Sequence, residues 1–133
     1  MSDELCVPIC SEADLVTARL RGREIASALH FSSSELTLIA TAISEVTRNI
    51  ISYAGKGELK LGLVRQGQKT GVMIVARDNG PGIADLYSAM QDGYSTSGGL
   101  GLGLPGSKRL MDEFEIASDV GKGTTVTMTK WKE

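Results

Sequence analysis

Ser44-Glu45-Val46-Thr47-Arg48-Asn49 lies late in a long apolar segment running from Glu35 to Tyr53. A segment of that length with apolar residues three and four apart is a helix. Glu45 and Asn49 are four residues apart, so they stack on one face a single turn apart. At about 100° per residue, Ile39, Ala40, Ile43, Val46, Thr47 and Ile50 form one apolar stripe, and Glu45 and Asn49 fall near the opposite side. The helix thus offers a greasy face to a core and a carboxylate plus a carboxamide to something else. Taken alone, such a pair reads most simply as solvated decoration of an outward face. The glycine-rich sequence downstream argues otherwise.

Around this helix the chain reads in order. Leu5 to Ile9 suits an edge strand, where Pro8 is tolerated. Ser11 caps a first helix, with Asp14 placed for a capping box. Leu15, Ala18, Leu20, Ile25, Ala26 and Leu29 form its apolar face, and His30-Phe31 ends it, with His30 at the surface. Ser32-Ser33-Ser34 caps the second helix, Glu35 to Tyr53. Ala54-Gly55-Lys56-Gly57 stops it. Glu58 to Arg65 alternates with period two, a strand. A hairpin connection over 66–71 leads to Val72-Met73-Ile74-Val75-Ala76, continuously apolar and therefore a buried central strand. Residues 84–91 read as a short helix and 92–99 as a polar, flexible stretch. Leu100 to Leu104 leads into a helix ending near Met111, with Pro105 in its first turn. Phe114 to Val120 and Thr124 to Trp131 form a last strand pair around Gly121-Lys122-Gly123. Strands in antiparallel pairs with helices between them predict an α+β two-layer sandwich: a mixed, mostly antiparallel sheet covered on one face by helices.

Composition narrows the function. The chain has 133 residues, with 14 Lys plus Arg against 16 Asp plus Glu. One domain over 1–133 is expected at that length. A net charge of -2 does not suggest nucleic acid as a partner. The N-terminus shows no basic region followed by an apolar core, so no signal peptide is expected. No apolar run approaches the roughly 20 residues of a membrane helix. A cytoplasmic chain with reduced thiols follows. Cys6, Cys10 and the lone His30 are too few for a Cys/His metal site.

Two glycine-rich stretches carry the chemistry. Asp78-Asn79-Gly80-Pro81-Gly82 follows the buried strand. An aspartate there can accept a hydrogen bond from an exocyclic amine, and the glycines let backbone approach a flat ligand. The simpler reading is an Asp/Gly/Pro turn. Gly98-Gly99-Leu100-Gly101-Leu102-Gly103 opens a helix, where bare amides and the positive dipole end suit phosphate. A dinucleotide fingerprint is excluded because Tyr94-Ser95-Thr96-Ser97, not a strand, precedes the glycines. A P-loop is excluded because Gly121-Lys122 is followed by Gly123 in a hairpin.

In this order, Glu45-x-x-x-Asn49, Asp78-x-Gly80-x-Gly82, Gly99-x-Gly101-x-Gly103 and Gly121-x-Gly123-Thr124 resemble the nucleotide-binding fold of gyrase-type ATPases, chaperone ATPases, histidine kinases and bacterial anti-sigma-factor kinases. The resemblance spans nearly the whole chain. Neither the phosphoacceptor helix pair of a histidine kinase nor the transducing domain of a gyrase-type ATPase is expected in these 133 residues, and a bare domain of this size resembles the anti-sigma serine kinases. Within these, Ala42-Ile43-Ser44-Glu45-Val46-Thr47-Arg48-Asn49, Tyr53-Ala54-Gly55-Lys56-Gly57 and the stretches 92–101 and 104–114 are similar to the switch kinases of the stressosome.

The resemblance implies a serine/threonine kinase using ATP and Mg²⁺. Asn49 would hold the metal, Asp78 would read the adenine amine, and Gly80 and Gly82 would lie beside the base. Thr124 would support the adenine contact, Gly99, Gly101 and Gly103 would line the triphosphate, and Glu45 would be the general base. The implied partners are STAS-domain proteins as substrates and a PP2C-type phosphatase afterwards, with no nucleic acid and no membrane. Residues 92–100 would form a lid that orders on phosphate. An anti-sigma factor that sequesters a sigma factor, with kinase activity secondary, is the alternative; a vestigial nucleotide site is a third, against which the intact Glu45 argues.

Overall fold

The computed structural model describes residues 2–80 and 108–132. Two helices and five strands follow in the order β1 (Ser2–Ile9), α1 (Glu12–Ser27), α2 (Ser33–Tyr53), β2 (Gly57–Gln66), β3 (Lys69–Asp78), β4 (Glu113–Asp119) and β5 (Gly123–Lys132). The sheet order is β1-β2-β3-β5-β4, and all four pairings are antiparallel. The expected sandwich is therefore present, with antiparallel pairing throughout the described strands. The short helix expected over 84–91, the polar stretch 92–99 and the proposed lid lie outside the described residues; residues 108–110 are helical.

Each helix starts where its cap dictates. Ser11 precedes α1, and the Asp14 carboxylate accepts the backbone N–H of Ser11 at 3.1 Å and that of Cys10 at 2.7 Å. Ser32 caps α2: its hydroxyl accepts the Glu35 N–H at 3.1 Å, while Glu35 accepts the Ser32 N–H at 2.9 Å. This reciprocal box satisfies two amides that the helix itself leaves without partners. The bond from the Ser32 N–H holds the Glu35 carboxyl below its ordinary pKa. α1 ends at Ser27, three residues before the expected end, because His30 turns out of the helix at φ 62° and lies exposed.

One apolar core joins helices and sheet. Ile39, Ile43, Val46 and Ile50 of α2 cluster with Leu59 and Leu61 of β2, Val72, Ile74 and Ala76 of β3, and Val126 and Met128 of β5. These strand residues are alternate positions, so they share one face of the sheet. Burying each large side chain contributes roughly 1.5–3 kcal/mol. α1 lies close on α2: a methyl group added at Gly22 would overlap Ile43 Cδ1. The opposite face holds Lys60, Met73, Thr125, Thr127 and Trp131, none fully buried. β1 and β4 are the sheet edges among the described residues, and Pro8 sits in β1 as an edge strand permits.

Candidate functional site

α2 presents four polar residues in a single line. Glu45, Arg48, Asn49 and Ser52 follow the i, i+3, i+4, i+7 spacing that places side chains on one helix face. Glu45 and Asn49 are about 6 Å apart along the axis. This face is not the solvated one that the pair suggests when taken alone: Glu45 is only 2% exposed, and Arg48 and Asn49 are half-buried. Asn49 Nδ2 and Arg48 Nε are shielded from water and have no hydrogen-bond partner among the described residues. Buried polar atoms are nearly always paired in folded proteins, so two orphans on one face mark a place where a ligand completes the bonding.

The second half of the site is the end of the sheet. Asp78 ends β3, and antiparallel register sets Thr124 directly opposite it on β5 and Ser118 opposite Thr124 on β4. Three polar side chains thus form a row across three strands, continuing the core-facing alternation of Ala76 and Val126. Asp78 Oδ1 accepts the Gly80 N–H at 2.9 Å, closing an Asx turn that fixes the carboxylate. The Ser118 and Thr124 hydroxyls lie 2.9 Å apart, and Ser118 Oγ also donates to the Gly123 carbonyl at 3.1 Å.

Glycines bind the two halves together. A Cβ on Gly80 would lie 2.6 Å from Ala54 Cβ, at the C-terminal cap of α2. One on Gly57 would lie 2.8 Å from Ile50 Cγ2 and 3.2 Å from Asp78 Cβ. The last turn of α2 is therefore seated on the Asp78–Gly80 turn, and the line Asn49, Arg48, Glu45 runs away from it along the helix. A Cβ on Gly123, which has φ 99°, would overlap the Asp78 carbonyl oxygen. A cavity of about 660 Å³ opens at this end, lined by Asp78, Asn79, Gly80, Gly123, Thr124 and Ser118 among others, with Lys56, Arg77 and Lys122 around it.

Of the residues singled out from sequence, Asp78, Gly80 and Thr124 meet at this cavity, and Glu45 and Asn49 share one face of the helix that leads from it. Gly82, Gly99, Gly101 and Gly103 lie outside the described residues. Sequence reading missed Ser118, whose place depends on strand register, and Arg48, which sits inside the decisive stretch. It read Gly123 as a turn residue, and the turn is real; the second role, clearance for the Asp78 backbone, shows only in the packed sheet.

The donor set fits a magnesium nucleotide. Asp78 is an acceptor with capacity beyond its one turn hydrogen bond, suited to an exocyclic amine. The Asn49 carboxamide, whose Nδ2 is left without a hydrogen-bond partner among the described residues, also carries a hard oxygen of the kind Mg²⁺ takes singly while keeping phosphates and waters. Among the described residues no group of three or more His, Cys, Asp or Glu could hold a metal by themselves, and no helix is long and apolar enough to cross a membrane.

Comparison with known proteins places this arrangement among relatives. The histidine kinase-like ATPase domain matches residues 11–130. Serine/threonine-protein kinase RsbT of Bacillus subtilis (strain 168) is 51% identical over 131 residues, 98% of each chain. An anti-sigma F factor of Thermoanaerobacter sp. (strain X514) is 33% identical over 103 residues, covering 73% of this chain and 71% of that protein. Among solved structures, the RsbU and RsbW domains of a Mycobacterium tuberculosis protein superpose with TM-score 0.64 at 19% identity, over 99% of this chain and 34% of that one. Mycobacterial sensor histidine kinase MprB superposes with TM-score 0.56 at 15% identity, over 98% and 97%. At these identities the two structures speak for the fold.

Proposed function

The chain belongs to the histidine kinase-like ATPase domain family, and on that premise we propose that it is an ATP-dependent protein serine/threonine kinase whose substrates are small STAS-domain regulatory proteins. The observation that carries the reading is the join between the two halves of the site: the Asp78–Thr124–Ser118 row meets the C-terminal turn of the same helix that carries the buried Glu45 and the half-buried Asn49. A base-reading carboxylate, a metal-type carboxamide and a buried carboxylate then follow one another along one line.

Each residue has a task. Asp78, fixed by the Gly80 amide, accepts the adenine amine, and Thr124, held by Ser118, supports that contact. Asn49 would hold Mg²⁺, which would offset the charge of the nucleotide phosphates. Glu45 stands one turn further on, where it can take the proton from an incoming serine or threonine hydroxyl. Phosphoryl transfer asks mainly for positioning and charge compensation, and this layout supplies both. Gly99, Gly101 and Gly103 are proposed to line the triphosphate, with Gly82 beside the base. After phosphorylating its STAS partner, the kinase would leave it and activate a PP2C-type phosphatase in a cytoplasmic cascade.

Incubation with Mg-ATP and candidate STAS proteins, followed by mass spectrometry, tests the reading. Phosphoserine or phosphothreonine on a STAS protein is the expected product; none on any candidate, with nucleotide bound, contradicts it. The anti-sigma F relatives favour a second reading, capture of a sigma factor, which a pulldown against sigma factors distinguishes.

A further inference from the structure

Arg48 has no task in this scheme, yet it stands between the two residues that matter most. It lies three positions beyond Glu45 and one before Asn49, about 4.5 Å and 1.5 Å along the axis of α2. Its Nε is buried without a hydrogen-bond partner, and its side chain forms no ion pair among the described residues. A guanidinium keeps its charge at every physiological pH, so it cannot relieve the shielded, unpaired Nε by losing a proton. Folding alone gives no return for such a donor. An arriving anion does: the Nε edge of a guanidinium presents two parallel N–H groups that match two oxygens of a phosphate.

Which phosphate follows from position. The adenine end of the site is fixed by Asp78 and Gly80 against Ala54, and Arg48 lies more than a turn of helix away from it toward Glu45. The group to be transferred must sit between the metal ligand and the base, and that is where Arg48 stands. We propose that Arg48 holds the terminal phosphate of ATP, so that the site distinguishes ATP from ADP through this side chain. The inference rests on the nucleotide reading above. Once the phosphoryl group has left, Arg48 has lost its anion, and the product complex is weakened at this point.

Nucleotide affinity without any protein partner tests the inference. ATP and ADP, each with Mg²⁺, are competed against a fluorescent ADP analogue on the wild type, Arg48→Met and Arg48→Lys. Arg48→Met keeps an unbranched apolar stem and removes the charge. It should weaken ATP about tenfold or more while ADP stays within about threefold. Arg48→Lys keeps the charge without the fork and should fall between. Melting without nucleotide should be unchanged or raised in Arg48→Met, because a shielded donor left without a partner has gone. Equal losses for ATP and ADP, no loss for either, or a lowered melting temperature with both nucleotides lost would each overturn the inference while leaving the kinase reading intact. A wild-type chain that binds neither nucleotide would overturn both.

Discussion

Asp78 and Thr124 face each other across adjacent antiparallel strands, and the glycine before Thr124 leaves room for the backbone of Asp78. The pairing of β3 with β5 therefore also builds the end of the site proposed to read the base. Asp78→Asn tests this without disturbing the turn, since the carboxamide oxygen can still accept the Gly80 N–H. The amide's other end presents a donor to the adenine amine, a mismatch costing about 1–3 kcal/mol. ATP affinity should fall roughly tenfold or more, with the melting temperature near wild type. Unchanged affinity by calorimetry would remove Asp78 from the base-reading role.

Gly123→Ala attacks the same junction from the other strand. The added methyl group is directed at the Asp78 carbonyl oxygen and stands 2.8 Å from Asn79 Cα, and φ 99° is itself unfavourable for alanine. Backbone, not a flexible side-chain end, must give way. We expect a loss of about 1–3 kcal/mol in denaturant unfolding together with weakened ATP binding. Gly121→Ala is the control: it meets nothing within 4 Å and bears only the strain of φ 80°. Equal effects at both glycines would mean that turn strain alone is felt.

Asn49→Ala should separate metal-dependent from metal-free binding. The Nδ2 of this carboxamide has no partner among the described residues, so losing it removes no hydrogen bond it makes to the fold. Nucleotide affinity measured with Mg²⁺ should fall further than affinity measured in excess chelator. Equal falls in the two conditions would assign Asn49 a role other than metal ligation.

The cap of α2 gives a pH signature. Glu35 has its folded pKa lowered, first by the Ser32 N–H, so its contribution is fully present above the ordinary glutamate value of about 4.3 and is lost as pH falls through the lower folded value. Glu35→Gln should therefore differ from wild type at neutral pH and converge with it in acid. Ser32→Ala removes the other half of the box and should cost about 0.5–2 kcal/mol at neutral pH. A wild-type-minus-Glu35→Gln difference that is flat down to acid pH would show that the box does not stabilise the helix.

Much of this is legible in the sequence. Both caps, the limits of α2 to within two residues, and the strand pairs around 66–71 and 121–123 follow from local chemistry: capping residues, period-two alternation and glycine turns. The burial of Glu45 was not legible, because a helical wheel gives direction but not what packs over each side. Ser118 and the second role of Gly123 were hidden for a related reason. Both depend on which residues of distant strands come opposite each other, and register is set by the whole sheet. Arg48 was in plain view, but only its orphaned Nε distinguishes it from an ordinary surface arginine.

The proposed mechanism gives Glu45 the part of the general base, and single-turnover transfer by Glu45→Gln tests it most directly. Glutamine keeps shape and hydrogen bonding while removing the basic oxygen from a side chain that is 2% exposed. A positioned base contributes typically about 10²–10⁴ in rate, and the loose phosphoryl-transfer transition state argues for the lower part of that range. With ATP and a STAS partner both bound near wild-type affinity, phosphorylation should slow about a hundredfold or more. Slowing by less than about threefold would show that positioning alone carries the rate, and a collapse of ATP binding would show that Glu45 holds the site together instead.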